Sequence, residues 1–144
     1  MTELVTTYKG VVYPWHCDHM GHMNVMWYAG KFDEATWNLL SLFDLTTTYF
    51  KQENRGMVAG EQRTFYKQEL LAGMTVYIKS GIAELNDKSI KFFHEMRNGE
   101  TNEVAAITFL TGVHIDSKAR KACSFPENIK QKATEYITTE IPKP

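Results

Sequence analysis

Residues 18–24 read Asp18-His19-Met20-Gly21-His22-Met23-Asn24, and the chain then runs Val25-Met26-Trp27-Tyr28-Ala29-Gly30-Lys31-Phe32 and on to Phe43. The periodicity changes at Asn24. From there Val25, Tyr28, Ala29, Phe32, Thr36, Leu39, Leu40 and Phe43 recur at three- and four-residue spacing, the signature of a helix with one apolar stripe. Lys31, Asp33, Glu34, Asn38 and Ser41 fall mostly off that stripe. Asn24 is a good N-cap, and Met23 is placed to staple onto Tyr28. A helix from Val25 to Phe43 is ~28 Å long at 1.5 Å per residue. Trp27 and Trp37 widen its apolar surface, so it reads as more enclosed than an ordinary surface helix.

Around this helix the chain reads mainly as strands. Val5 to Tyr13 is rich in Val, Thr and Tyr, and Pro14 ends that strand. Met57 to Glu69 and Thr75 to Leu85 read as strands, the second closed by a turn at Asn86-Asp87-Lys88. Ile90, Phe92, His94 and Met96 alternate with Lys91, Phe93, Glu95 and Arg97, which places His94 on an inner sheet face as a hydrogen-bonded core histidine. Asn98-Gly99 is the strongest short hairpin signal in the chain. Val104 to Ile115 is nearly all apolar and reads as a central strand buried on both faces. Ser124-Phe125-Pro126-Glu127 fits a capping box opening a helix to about Ile137. Residues 138–144 carry two prolines and read as a loose tail. The expected fold is one α+β domain spanning 1–144, a long helix against an antiparallel sheet. Such a sheet has edges, which small domains often manage by pairing with a second copy.

Length and composition agree. A chain of 144 residues is one domain's length. Hydrophobic residues at 43% and charged residues at 23% are globular values, so disorder is excluded. Sixteen Lys and Arg against seventeen Asp and Glu argue against a nucleic-acid partner. Two cysteines, Cys17 and Cys123, make no CxxC pair and no disulfide framework. The longest stretches free of charged residues, His19 to Gly30 and Val104 to Ile115, are too short for a bilayer. No signal-peptide pattern opens the chain, so a cytoplasmic protein without a membrane partner is expected.

The chemistry concentrates in residues 16–24. Nucleophile-elbow, P-loop, dinucleotide-fingerprint and HExxH patterns are absent. Three readings of the cluster stand side by side. In the first, His16, His19 and His22 with Cys17 and Asp18 ligate a metal; three rings in one tight turn do not converge easily, and no metal is assigned. In the second, the loop is a solvated helix cap. In the third, Asp18 stands before a helix whose first N–H groups are unpaired and electropositive. A carbonyl held over those groups is polarised, and Asp18 attacks it or deprotonates a water. A thioester suits this equipment, because a thiol of pKa about 8.5 leaves without much help from an acid.

Asp18-His19-Met20-Gly21-His22-Met23-Asn24, followed by Tyr28 and Phe32-Asp33-Glu34-Ala35, resembles the Asp-x-x-Gly-His-x-Asn signature of hotdog-fold acyl-CoA thioesterases of the 4-hydroxybenzoyl-CoA thioesterase-like family. Tyr66-Lys67-Gln68-Glu69-Leu70 with Gly73 resembles that family's entry to the third strand. Lys88 to Met96, His114 to Arg120 and Phe125-Pro126 add to the resemblance, which covers Val5 to Pro126.

The resemblance implies a sheet wrapped around the long helix, and a homodimer or homotetramer with the site at a protomer interface. It implies an acyl-CoA substrate hydrolysed to free acid and coenzyme A, with no cofactor beyond the coenzyme A of the substrate. Asp18 is then nucleophile or general base, the amide of Val25 polarises the carbonyl, and Gly21 lets the turn tighten. Many relatives carry a second Asn where this chain has Val25; the backbone amide survives that change. Glu61 is a candidate helper acid or a plain surface residue, and His22 either bonds Asp18 or the thioester or only caps the turn. Trp15, Trp27, Tyr28 and Trp37 are candidate acyl-pocket linings or plain core. Arg120 and Lys121, with Lys118, are candidate partners of the coenzyme A phosphates or a solvated charge run. Two alternatives share the fold: a non-catalytic acyl-CoA or acyl-carrier binding protein, and a hydratase using Asp18 and His22.

Overall fold

The computed structural model describes residues 3–144. Strand β1 (Val5–Val11) leads through a single 3-10 turn, Pro14–His16, to helix α1 (Val25–Ser41). A short helix α2 (Thr47–Glu53) follows, then strands β2 (Arg55–Tyr66), β3 (Thr75–Leu85), β4 (Ser89–Asn98) and β5 (Val104–Asp116), a two-residue strand β6 (Lys121–Ala122), and helix α3 (Glu127–Thr134). The main strands lie in the order β1-β3-β4-β5-β2 and every pairing is antiparallel. This is the hotdog arrangement, a curled sheet around one long helix.

Helix α1 starts where Asn24 turns from extended backbone (φ −75°, ψ 151°) and its side chain accepts the N–H of Met26 at 2.8 Å. Loss of such a cap typically costs about 1 kcal/mol. Met23 and Tyr28, both buried, meet in one apolar cluster with Phe32 and Ala35, as the staple predicts. A second cluster around Leu39, Leu40 and Phe43 packs on Ile82, Ile90 and Phe92 of the sheet. Each large apolar side chain sealed there contributes roughly 1.5–3 kcal/mol.

Several sequence expectations need correction. The helix ends at Ser41, and Leu42 to Asp44 form a turn with Asp44 at φ 68°. Helix α2, capped by Thr46, has no counterpart in the sequence reading. Strand β2 begins at Arg55 and stops at Tyr66. Asn98-Gly99 does open a hairpin, from β4 to antiparallel β5, but its loop is longer than the tight turn such a dipeptide favours. The Asn98 carboxamide accepts the N–H groups of Glu100 and Thr101, and Asn102 takes the left-handed conformation, giving a five-residue loop. Gly99 is required there by space, since a Cβ would run into the Thr75 side chain. β5 is sealed over Ala105 to Thr108 and only half-buried over Phe109 to Thr111. Ser124 does not cap α3, whose N-cap is Pro126; its hydroxyl donates to Asp87 Oδ2 at 2.6 Å. The tail is anchored at its start: Thr138 is buried and its N–H donates to the Ile82 carbonyl at 2.9 Å.

His94 sits as expected, fully buried on the inner face of β4. Its ring bridges Ser80 on β3 and Thr36 on α1, the latter at 2.8 Å. Burial pushes its pKa down to about 3, so the folded state holds it neutral. The unfolded chain takes a proton near 6.5, so this contribution to stability is complete above that pH and is lost progressively as pH falls toward 3. Urea unfolding of the wild type is expected to lose on the order of 1 kcal/mol per pH unit between pH 6.5 and 5 from this group. His94→Gln is expected to flatten the slope by that amount.

Candidate active site

The loop between Pro14 and α1 is closed by its own backbone. Cys17 and Met23 form an antiparallel bridge, Asp18 N–H donates to the His22 carbonyl at 3.2 Å, and Gly21 N–H donates to the Asp18 carbonyl at 3.0 Å. Gly21 occupies φ +86°, a conformation that favours glycine. Met23 N–H donates to the Leu70 carbonyl at 2.7 Å and ties the loop to the segment that follows β2.

This turn fixes the Asp18 carboxylate. One oxygen accepts the N–H of Met20 at 2.9 Å, and the other accepts the side-chain amide of Asn24 at 2.7 Å. The Asn24 amide first, then the Met20 N–H, hold the acid below its usual pKa, so it is ionised at neutral pH. Asn24 thus caps the helix with its oxygen and holds the acid with its nitrogen. Among the first four N–H groups of α1, Met26 bonds Asn24 Oδ1, while Trp27 and Tyr28 bond the Asn24 carbonyl at 2.9 and 3.4 Å. The N–H of Val25 makes no hydrogen bond among the described residues. Val25 is 57% exposed. An ionised carboxylate and a free, electropositive amide are therefore held on one short segment.

The other candidates divide. His22 does not bond the Asp18 side chain: its Nε2 lies 3.8 Å from Glu69, and its carbonyl supports the turn. Tyr28 is core. Its ring meets Tyr66 edge to face, its hydroxyl donates to the Gln68 carbonyl at 3.2 Å, and burial raises its pKa to about 12. Trp27 is half-buried against the His16 ring. Glu61 is exposed at a bulge of edge strand β2, with Arg63 at 4.0 Å as its charged neighbour. Arg120 and Lys121 follow β5 beside the Arg55 end of β2, whereas the Asp18 loop packs beyond its Tyr66 end. Within one chain, the basic pair and the acid lie at opposite ends of a ladder of about 11 residues, roughly 35 Å at 3.3 Å each. His16, His19 and His22 do not converge, and no group of three or more metal-ligating side chains occurs among the described residues. Among the described residues no helix is long and apolar enough to cross a membrane.

A cleft runs along α1 where the helix faces β2 and β5. Its walls include Ala29, Asp33 and Trp37 of the helix, with Met57, Phe92 and Leu110 of the sheet. Val25, Ala29, Asp33 and Trp37 are spaced by four, so the cleft continues the face on which the free amide stands. Asp33 escaped the sequence reading as a plain polar-face residue; this four-residue spacing from Val25 is the signal that marks it. Asp18 itself opens to the surface and lines none of the main cavities of the single chain.

A family model described as the thioesterase-like superfamily matches residues 12–133, most of the chain and all of this site. The chain belongs to the thioesterase-like superfamily. Among curated proteins this thioesterase-like chain is 26% identical over 115 residues to an L-carnitine dehydrogenase/betainyl-CoA thioesterase of a Rhizobium species. The match covers 80% of the chain and 23% of the relative, so the chain spans about a quarter of that relative's length. Among solved structures, SAV2348 from Staphylococcus aureus in complex with CoA superposes with a TM-score of 0.90 at 20% identity, covering 100% of this chain and 91% of that one. Slr0204 from Synechocystis, a 1,4-dihydroxy-2-naphthoyl-CoA thioesterase, gives 0.81 at 16% identity over 92% and 96% of the two chains. These likenesses establish the hotdog fold for the thioesterase-like chain.

Proposed function

We propose that this thioesterase-like protein hydrolyses an acyl-CoA thioester to the free acid and coenzyme A. The observation that carries the reading is the pairing of the anchored Asp18 carboxylate with the unbonded N–H of Val25 at the start of α1. Family membership supports the same reaction class. The thioester oxygen lies over the Val25 amide, where charge developing in the transition state meets the helix start. Asp18 acts on the carbonyl carbon as nucleophile, or on a water as general base. The thiolate of coenzyme A leaves. The acyl group runs into the cleft between α1 and β2, whose walls accept an apolar or compact group.

A second copy completes the site in this reading. Strand β2 has one partner, β5, and residues 58–63 are exposed along its free edge. Antiparallel pairing of two β2 edges would bring the Arg55 end of one copy beside the Tyr66 end of the other. Arg120 of the partner subunit and Lys121 of the partner subunit would then reach the Asp18 loop and the coenzyme A phosphates, which their own chain keeps distant. Coenzyme A enters as part of the substrate, and the reaction needs no cofactor.

Thiol release from a panel of aromatic, short, branched and quaternary-ammonium acyl-CoAs tests the proposal, the last class because the Rhizobium relative is named for betainyl-CoA. At least one member is expected to release coenzyme A well above its spontaneous rate. Binding of several members without any thiol release would instead mark a non-catalytic acyl-CoA binder.

A further inference from the structure

A second cleft, separate from the one described, lies on the opposite flank of α1 against β1. It measures about 550 Å³, and its walls include Tyr8, Tyr13, Trp15, His16, Trp27 and Lys31. That is the size of a small-molecule site.

Two of its wall residues are buried hydrogen-bond donors without a full set of acceptors. Lys31 is 3% exposed; its ammonium donates to the Tyr8 hydroxyl at 2.9 Å and to the Val11 carbonyl at 3.3 Å. An ammonium has three donors, so one remains. No carboxylate lies within ion-pair distance of Lys31 among the described residues. Burying a cation without an anion is costly. His16 is 8% exposed, and its Nδ1 accepts the N–H of Tyr13 at 3.0 Å. The ring proton of the neutral imidazole is therefore on Nε2, which has no protein acceptor among the described residues and is not sealed from solvent. A cation and a neutral N–H in one cleft, both short of acceptors, call for an anion.

The surroundings narrow the class. His16 is ringed by aromatic faces: Trp27 at 4.5 Å, and Tyr13 and Trp15 each at 5.8 Å between centroids. Trp15 is 65% exposed, and Tyr13 stacks on it. Glu34, exposed, lines the same cleft. A carboxylate and electron-rich ring faces attract a cation, and Glu34 offsets the charge of Lys31, so a multiply charged phosphate is disfavoured. The His16 donor and these ring faces stand 4.5–5.8 Å apart between centroids, and Lys31 and Glu34 line the same cleft.

We propose that this cleft binds a short zwitterion, its carboxylate on Lys31 and His16 and its alkylated ammonium against Trp15, Tyr13 and Glu34. The site uses neither Asp18 nor the Val25 amide, so it stands or falls apart from the hydrolytic reading.

Titration of the intact protein with N,N,N-trimethylglycine, followed by tryptophan fluorescence and calorimetry, tests it. Saturable binding is expected, with acetate and tetramethylammonium chloride each binding at least tenfold more weakly because each satisfies one half of the site. Trp15→Ala and Glu34→Gln, both on exposed side chains, are expected to weaken trimethylglycine at least tenfold and severalfold while melting like the wild type. Asp18→Asn is expected to bind it unchanged. The proposal is overturned by the absence of saturation in the tens-of-millimolar range, by equal binding of acetate or tetramethylammonium, or by unaltered affinity in the Trp15 and Glu34 variants.

Discussion

Asp18→Asn is expected to lower kcat for thioester hydrolysis by roughly 10²–10⁴-fold, the range a positioned acid or base typically contributes. The change is nearly isosteric. The amide oxygen still accepts one of the two hydrogen bonds that position the carboxylate, from Met20 N–H or from Asn24. The charge is lost, and with it the ability to attack a carbonyl or take a proton from water. The side chain stands at the surface end of the loop and carries no core packing, so the melting temperature should move by only a few degrees. Thiol-release kinetics and a thermal melt on the same sample separate the two effects. A variant that folds and turns over like the wild type would remove Asp18 from the mechanism. In a single turnover in ¹⁸O water, label recovered in the Asp18 side chain marks covalent attack, with water opening the acyl anhydride at the Asp18 carbonyl carbon.

The second large effect is expected from Val25→Pro. Proline at the first helical position is well tolerated, because its fixed φ suits the helix and the N–H it lacks has no helical partner. Asn24 already has the extended conformation that a residue before proline prefers. The Val25 side chain is 57% exposed, so little packing is lost. The substitution therefore deletes one hydrogen atom of interest. Loss of a single donor to a developing oxyanion typically costs 10²–10³-fold in kcat, about 3–4 kcal/mol. The proline variant is expected to show that loss with KM little changed, whereas Val25→Ala keeps the amide and the rate. Equal rates for the proline and alanine variants would place the carbonyl elsewhere.

The parts of the molecule that were legible in the sequence are those fixed by near neighbours. Asn24 caps α1 and Met23 packs with Tyr28 because both relations span five residues or fewer. His94 announced its inner face through strict alternation with Lys91, Phe93 and Glu95. What stayed hidden depends on residues far apart in the chain. The register of β2 on β5 decides that Arg120 stands at the far end from Asp18, and no local pattern encodes it. Helix α2 is seven residues long and shows no clear stripe, so its existence rests on the Thr46 cap and on packing against β2. At Asn98 the dipeptide marked the hairpin, but the length of its loop is set by a side chain that bonds its own loop. In the loop itself the sequence marked Asp18, but only the folded loop reveals that Asn24 serves the helix and the acid at once.

The strand order has a consequence for biosynthesis. β1 pairs with β3, and β2 pairs with β5, so neither strand in the first 66 residues finds its partner in that half. As the polypeptide leaves the ribosome, α1 emerges with its apolar stripe uncovered, and it stays so until the β3–β4–β5 meander has been translated. Pairing of β1 with β3, and later of β2 with β5, joins strands far apart in the chain, non-local steps of the kind that slow folding.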